Sequence, residues 1–200
     1  THLDHNCGLP FFLDNVFGRL DEPIVVYGTP PVVRSLQTHM FNDELWPDFA
    51  KLPSENKPTL CFSTIEAEKP FRISDLTFTP IAVDHLIPTV GILVEDRSGA
   101  ILYTSDTGPT ERVWQVASSH KRLKCVITEI SFASDDDALA RASGHMTPRI
   151  LASELRKLTG KVPVLVTHTK PGHLPRIEEE LRAMGLDGVE LIEQGRTYEF

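Results

Sequence analysis

Apolar residues along the chain form two kinds of segment. Runs rich in Val, Ile, Phe and Thr predict strands at Ile24 to Tyr27, Leu60 to Ile65, Leu76 to Val83, Thr89 to Val94, Ala100 to Thr104, Lys124 to Thr128 and Val162 to Thr167. Such side chains suit a pleated, half-buried surface. Two short strands are predicted at Val189 to Glu193 and Thr197 to Phe200. Apolar positions at helical spacing predict helices over Pro31 to Phe41, with Val33, Leu36 and Met40 on one side, and over Glu111 to Ser118, Arg149 to Leu158 and Arg176 to Met184. Pro148 behind Thr147 suits a first helical position, and Gly160 and Gly185 suit helix ends. Residues 60 to 105 read as consecutive strands, whereas the later part alternates strand with helix. That order predicts a layered α/β protein with mixed sheets, not a simple doubly wound fold.

A chain of 200 residues suffices for one domain with a sizeable core, so residues 1–200 are expected to form a single domain. With 40% hydrophobic and 24% charged residues the composition is globular, neither disordered nor fibrous. The 20 Lys and Arg against 28 Asp and Glu give a net charge of -8, which argues against a broad sequence-independent nucleic-acid surface. Asp135-Asp136-Asp137 reads as a solvated loop. No apolar run approaches the ~20 residues of a membrane helix. Cys7, Cys61 and Cys125 are odd in number and lack paired spacing, so reduced thiols in the core are expected. The chain opens at Thr1, and its true N-terminus is expected upstream. The compartment expected is the cytoplasm, or the periplasm if a leader precedes.

Chemistry concentrates first at the start of the chain. His2, Asp4 and His5 offer two imidazoles and a carboxylate within one turn, an N/O set suited to borderline metals such as zinc. A chain leaving a strand and entering a helix at Gly8 would point all three toward one spot. His85, Asp106 and His168 sit where strands are predicted to end, which is where α/β proteins gather ligands. Each alone has an ordinary explanation: a core histidine, a turn residue, a strand terminus. Together they match a dinuclear site, which needs a bridging carboxylate and several neutral imidazoles from different elements. His120, among Ser118, Ser119, Lys121 and Arg122, is expected in solvent, and His173 at a helix start is expected as a surface cap. Trp46 and Phe49 suit either a base-stacking pocket or a hydrophobic plug under a long loop.

The run Thr-His-Leu-Asp-His-x-x-Gly-Leu-Pro resembles the H-x-H-x-D-H signature of the metallo-β-lactamase superfamily, its first His falling just before Thr1. Over essentially its whole length the chain resembles the class II 3′,5′-cyclic-nucleotide phosphodiesterases of that superfamily. The supporting pieces are His2-Leu3-Asp4-His5 with Gly8-Leu9, His39-Met40-Phe41-Asn42 with Leu45-Trp46-Pro47-Asp48-Phe49, and Tyr103 to Pro109. Glu129-Ile130-Ser131-Phe132, Gly144-His145-Met146-Thr147-Pro148 and Thr167-His168-Thr169-Lys170-Pro171 complete the set. The His39 to Phe49 piece is the most class-specific, because the others recur in related nucleases.

The resemblance implies a four-layer αββα sandwich with its site at one edge, here without its opening strands. It implies two divalent metal ions, zinc first, with Mn or Fe as alternatives. His2 and His85, with the upstream His, would hold the first; Asp4, His5 and His168 would hold the second; Asp106 would bridge them. Asp4 or Asp106 would orient the nucleophile, and His145, paired with Glu129, would protonate the departing 3′ oxygen. The substrate implied is a small cyclic nucleotide, cyclic AMP before cyclic GMP, hydrolysed to a nucleoside 5′-monophosphate, with no nucleic acid or membrane partner and a homodimer as the assembly. The first alternative is a tRNA 3′-processing endonuclease of the RNase Z type, which shares the ligands but carries a basic arm that no segment here resembles. A non-catalytic binding module is the second alternative.

Overall fold

The computed structural model describes residues Thr1–Phe200, which divide into two units, Thr1–Glu66 and Ala67–Phe200. The α/β class expected from the sequence holds in both.

In the first unit, helices α1 (Leu3–Asn6) and α2 (Gly8–Val16) precede strand β1 (Ile24–Gly28) and helix α3 (Pro30–His39). A small hairpin, β2 (Pro53–Ser54) and β3 (Lys57–Pro58), leads into β4 (Leu60–Thr64). Strands β1 and β4 pair in parallel, Ile24 opposite Leu60. Two prolines open α3, where the missing N–H groups cost nothing. Leu13, Leu36, Met40, Phe41, Phe49 and Leu60 form the core of this unit, with Trp46 packed against it. The Trp46 ring meets Phe11 edge-on at 5.2 Å, and Phe49 lies 5.5 Å from Phe17. Of the two readings of Trp46 and Phe49, the hydrophobic plug is the one this packing bears out.

The second unit carries a seven-stranded sheet built from β5 (Phe71–Ile73), β6 (Leu76–Ala82), β7 (Val90–Glu95), β8 (Ala100–Tyr103), β9 (Leu123–Glu129), β10 (Val164–Thr167) and β11 (Val189–Leu191). Neighbours from β5 to β8 are antiparallel, with residues 83–89 connecting β6 to β7. From β8 to β11 they are parallel, as the intervening helices require. Those helices are α4 (Arg112–Ser119), α5 (Asp137–Ala142), α6 (Pro148–Glu154) and α7 (Leu174–Met184). Ile81, Leu102, Val126 and Val166 from the strands join Val113 and Trp114 of α4, Ile150 and Leu151 of α6 and Ile177 of α7 in one apolar cluster. Trp114 is fully buried, and its indole N–H donates to the buried Glu154 carboxylate at 3.0 Å. The Thr147 hydroxyl caps α6 by accepting from the Ile150 N–H, and Gly185, at φ 56°, ends α7 in the left-handed conformation.

Four expectations are corrected. Asp135–Asp137 is no loop, although Asp135 is solvent-exposed as expected: a 3₁₀ turn over Ser134–Asp136 runs into α5, and Asp137 accepts from the Thr147 hydroxyl and from Arg149. Thr197 to Phe200 forms no strand; the Tyr198 hydroxyl instead accepts from the Glu193 N–H. His120 is half-buried, with Nε2 2.8 Å from Oε1 of Glu95. All three cysteines are free thiols, but Cys7 is exposed and only Cys125 is fully buried, where desolvation pushes its pKa up to about 11. No helix is long and apolar enough to cross a membrane.

Candidate metal centre

Strands β6 and β8 both run antiparallel to β7, and β9 and β10 run parallel to β8, so the four share one direction. Their C-terminal ends therefore lie along one edge of the sheet. His85 follows β6, Asp106 follows β8, Glu129 is the last residue of β9, and His168 follows β10. His145 reaches the same edge from the segment between α5 and α6.

Within this unit the side chains converge. His168 Nε2 lies 3.5 Å from Oδ2 of the buried Asp106. The His145 ring stacks on His168 at 5.4 Å and meets the His85 ring edge-on at 5.0 Å. One ligand atom each of Asp106, His145 and His168 lies within 4.8 Å of the others. His145 thus stands among the metal-type groups and not merely beside them. The backbone is held in unusual conformations at two of these points, with φ 58° at Ser105 and 60° at His168. Left-handed geometry at a residue with a Cβ costs about 1–2 kcal/mol and persists only where surrounding contacts enforce it.

Those contacts are present. Glu129, 1% exposed, accepts from the Thr107 N–H at 3.1 Å, the Ser131 hydroxyl at 2.8 Å and the Met146 N–H at 3.4 Å, and its Oε1 lies 2.6 Å from His145 Nδ1. The Gly108 N–H donates to the Asp84 carbonyl at 2.7 Å, and the Thr110 N–H to Glu154 at 2.9 Å. The loop that carries Asp106 is therefore tied to Asp84, beside His85, and to the end of β9.

The imidazole tautomers follow from the groups that face each Nδ1. His85 Nδ1 lies 2.8 Å from the Gly144 carbonyl, which can only accept, so this nitrogen bears the proton. His145 Nδ1 faces a carboxylate, with the same consequence. His168 Nδ1 lies 2.9 Å from the Ser131 oxygen. The single hydroxyl proton of Ser131 goes to the carboxylate at 2.8 Å rather than to the His168 carbonyl at 3.3 Å, since charge-assisted bonds are the shorter and stronger. Nδ1 of His168 is therefore the donor here too. In its neutral form each of the three rings has Nε2 as its basic nitrogen, the arrangement found behind metal-ligating imidazoles. Two electron-pair donors, His168 Nε2 and Asp106 Oδ2, then face each other at 3.5 Å, a contact that a cation between them makes favourable. This donor set fits a divalent metal.

Gly144 serves this geometry directly. Its φ is 68°, and a Cβ there would stand 2.9 Å from His85 Nδ1. His173 takes the N-cap position of α7, but its side chain makes no cap bond and is half-buried rather than on the surface: Nδ1 accepts from the Ala133 N–H at 3.4 Å, its ring meets Phe132 at 5.3 Å, and Phe132 in turn meets His145 at 5.9 Å. In the first unit, His2 precedes α1, and its carbonyl accepts from the His5 N–H at 3.1 Å. Asp4 Oδ2 and His5 Nε2 are 3.9 Å apart. Helical structure thus begins at Leu3, ahead of the expected start at Gly8. Ser131 and Gly144 are the residues missed from the sequence. Both stand inside motifs quoted for the family resemblance, two positions after Glu129 and one before His145, but neither was assigned a role there.

The family described as "Beta-lactamase superfamily domain" matches residues 1–169. The chain belongs to this superfamily. Among its curated relatives is a probable 3′,5′-cyclic-nucleotide phosphodiesterase of Yersinia pestis, 28% identical over 100% of the chain and 66% of the relative. The 3′,5′-cyclic-nucleotide phosphodiesterase 1 of Saccharomyces cerevisiae is 26% identical over 90% of the chain and 58% of the relative. The chain therefore spans about three-fifths to two-thirds of these relatives. The crystal structure of unliganded yeast PDE1 superposes with a TM-score of 0.81 and 22% identity, over 97% of this chain and 65% of that one. That likeness shows the metallo-β-lactamase-type fold.

Proposed function

We propose that the protein is a metal-dependent hydrolase that converts 3′,5′-cyclic nucleotides, cyclic AMP before cyclic GMP, into nucleoside 5′-monophosphates. The observation that carries the hydrolase reading is the group of His85, His145 and His168 beside Asp106, each ring with its Nδ1 tied back by a carbonyl, a carboxylate or a hydroxyl. The substrate class is supported by the names of the Yersinia and yeast relatives and by the His39 to Phe49 motif.

Asp106, His85 and His168 would hold divalent metal, with Asp106 as the shared carboxylate, and the family resemblance assigns His2, Asp4 and His5 of the opening motif as the further ligands. When bound, such ions supply positive charge against the phosphoryl oxygens and a water acidic enough to ionise near neutral pH. Asp4 or Asp106 orients the attacking water for in-line displacement at phosphorus. His145 gives its proton to the departing 3′ oxygen, and the Glu129 carboxylate stabilises the imidazolium that precedes this transfer.

Hydrolysis of cyclic AMP, cyclic GMP, a precursor tRNA and bis-p-nitrophenyl phosphate, compared by kcat/KM with zinc or manganese supplied, tests the reading. Cyclic nucleotides are expected to be the best substrates. Turnover of the linear ester or the tRNA with none of the cyclic nucleotides would reject it.

A further inference from the structure

Glu129 has one neighbour that no part of the reaction above employs. Ser131 is fully buried, and its backbone is fixed from both sides: its N–H donates to the Met146 carbonyl at 3.0 Å and its carbonyl accepts from the Lys170 N–H at 3.3 Å. These are the segments that carry His145 and His168. The hydroxyl sits between three functional groups, 2.8 Å from Glu129 Oε2, 2.9 Å from His168 Nδ1 and 3.2 Å from His145 Nδ1.

We infer that Ser131 is a positioning residue that extends the Glu129 carboxylate to His168, so that one buried carboxylate orients both imidazoles. His145 reaches Glu129 directly, whereas His168 reaches it through the hydroxyl. The hydroxyl can do this because it donates once and accepts at the same time. It passes its own proton to Oε2 and receives the Nδ1 proton of His168, so the ring is held with Nε2 toward Asp106. Polarisation along such a chain strengthens each member and makes the His168 nitrogen a better metal ligand. Alanine at this position leaves two broken bonds: Oε2 loses a donor, and the His168 Nδ1 proton loses its acceptor in a buried place. The inference rests on the proposed metal site, and its test separates the two.

The full-length protein is stripped of metal, and zinc affinity is measured by competition with a chromophoric chelator for wild type, Ser131→Ala and Ser131→Thr. Histidine ring tautomers are read from long-range proton–nitrogen correlation spectra of the metal-free protein. His168 is expected as the Nδ1–H tautomer in the wild type. Ser131→Ala should weaken the more affected zinc site by roughly 10–100-fold, the usual effect of removing a group that orients a ligand. Ser131→Thr, which keeps the hydroxyl, should bind as the wild type does. Unchanged affinity in a folded Ser131→Ala variant, or an Nε2–H tautomer of His168 in the wild type, overturns the inference and leaves the metal site standing. A wild-type chain that takes up no zinc overturns both. Should Ser131→Ala fail to give a folded circular dichroism spectrum, the wild-type tautomer decides alone.

Discussion

The Nδ1 atom of His145 lies 2.6 Å from Oε1 of Glu129, and both side chains are buried. A carboxylate so placed fixes the ring's tautomer and orientation, while Nε2 stays available for the leaving group. His145→Ala is therefore expected to slow cyclic AMP hydrolysis by about 10²–10⁴-fold, the range for a general acid. An ester whose leaving group needs no proton should be slowed far less. Equal losses on both substrates would remove the proton-donor role, and loss of bound metal would make His145 a ligand.

Both oxygens of Glu129 are committed, Oε1 to Thr107 and His145 and Oε2 to Ser131 and Met146. Glutamine matches the shape but turns one acceptor into a donor that must face donors already present. Glu129→Gln should destabilise the fold by about 1–3 kcal/mol, the cost of leaving a buried polar group unsatisfied. Chemical denaturation reads the stability, and turnover should fall with it. A variant as stable as wild type and equally active would show the carboxylate to be dispensable.

Asp106 and His168 should respond differently from His145 in metal content. In the proposed centre Asp106 would bridge two cations and offset their repulsion, so Asp106→Ala is expected to lose metal and activity together, with metal per chain measured by mass spectrometry. Retention of two ions per chain by this variant would require another bridge.

Desolvation raises the Cys125 thiol from about 9 to about 11 in the folded chain. The unfolded thiol ionises first as pH rises, so the unfolded state binds fewer protons between these values and stability falls across that window. Two pKa units correspond to about 2.7 kcal/mol at full expression. Cys125→Ala should flatten that part of the difference in stability between pH 9 and 11, measured against wild type by denaturant titration. At neutral pH a thiol reagent should label the exposed Cys7 well before Cys125.

Much of the fold was legible because its elements announce themselves locally. The runs at residues 76 to 83 and 124 to 128 became β6 and β9, and the Pro148 and Gly185 signals marked a helix start and a helix end where they were read. Elements governed by tertiary contacts were not legible. The four residues of α1 are too few for any period to show, and the Asp137 end of the acidic run is ordered by Thr147 and Arg149, partners that adjacent sequence does not display. The metal-type residues stood out because histidine and aspartate at strand ends are chemically conspicuous. Ser131 did not, because a serine after an apolar strand gains meaning only when β9 and β10 lie side by side.

Hydrolysis of cyclic AMP by the full-length protein, before and after chelation, bears most directly on the central claim, with products resolved by phosphorus NMR. The expected result is adenosine 5′-monophosphate as the sole product, formation abolished by the chelator and restored by added zinc or manganese. Turnover that persists in metal-free protein, or adenosine 3′-monophosphate as the product, would contradict it.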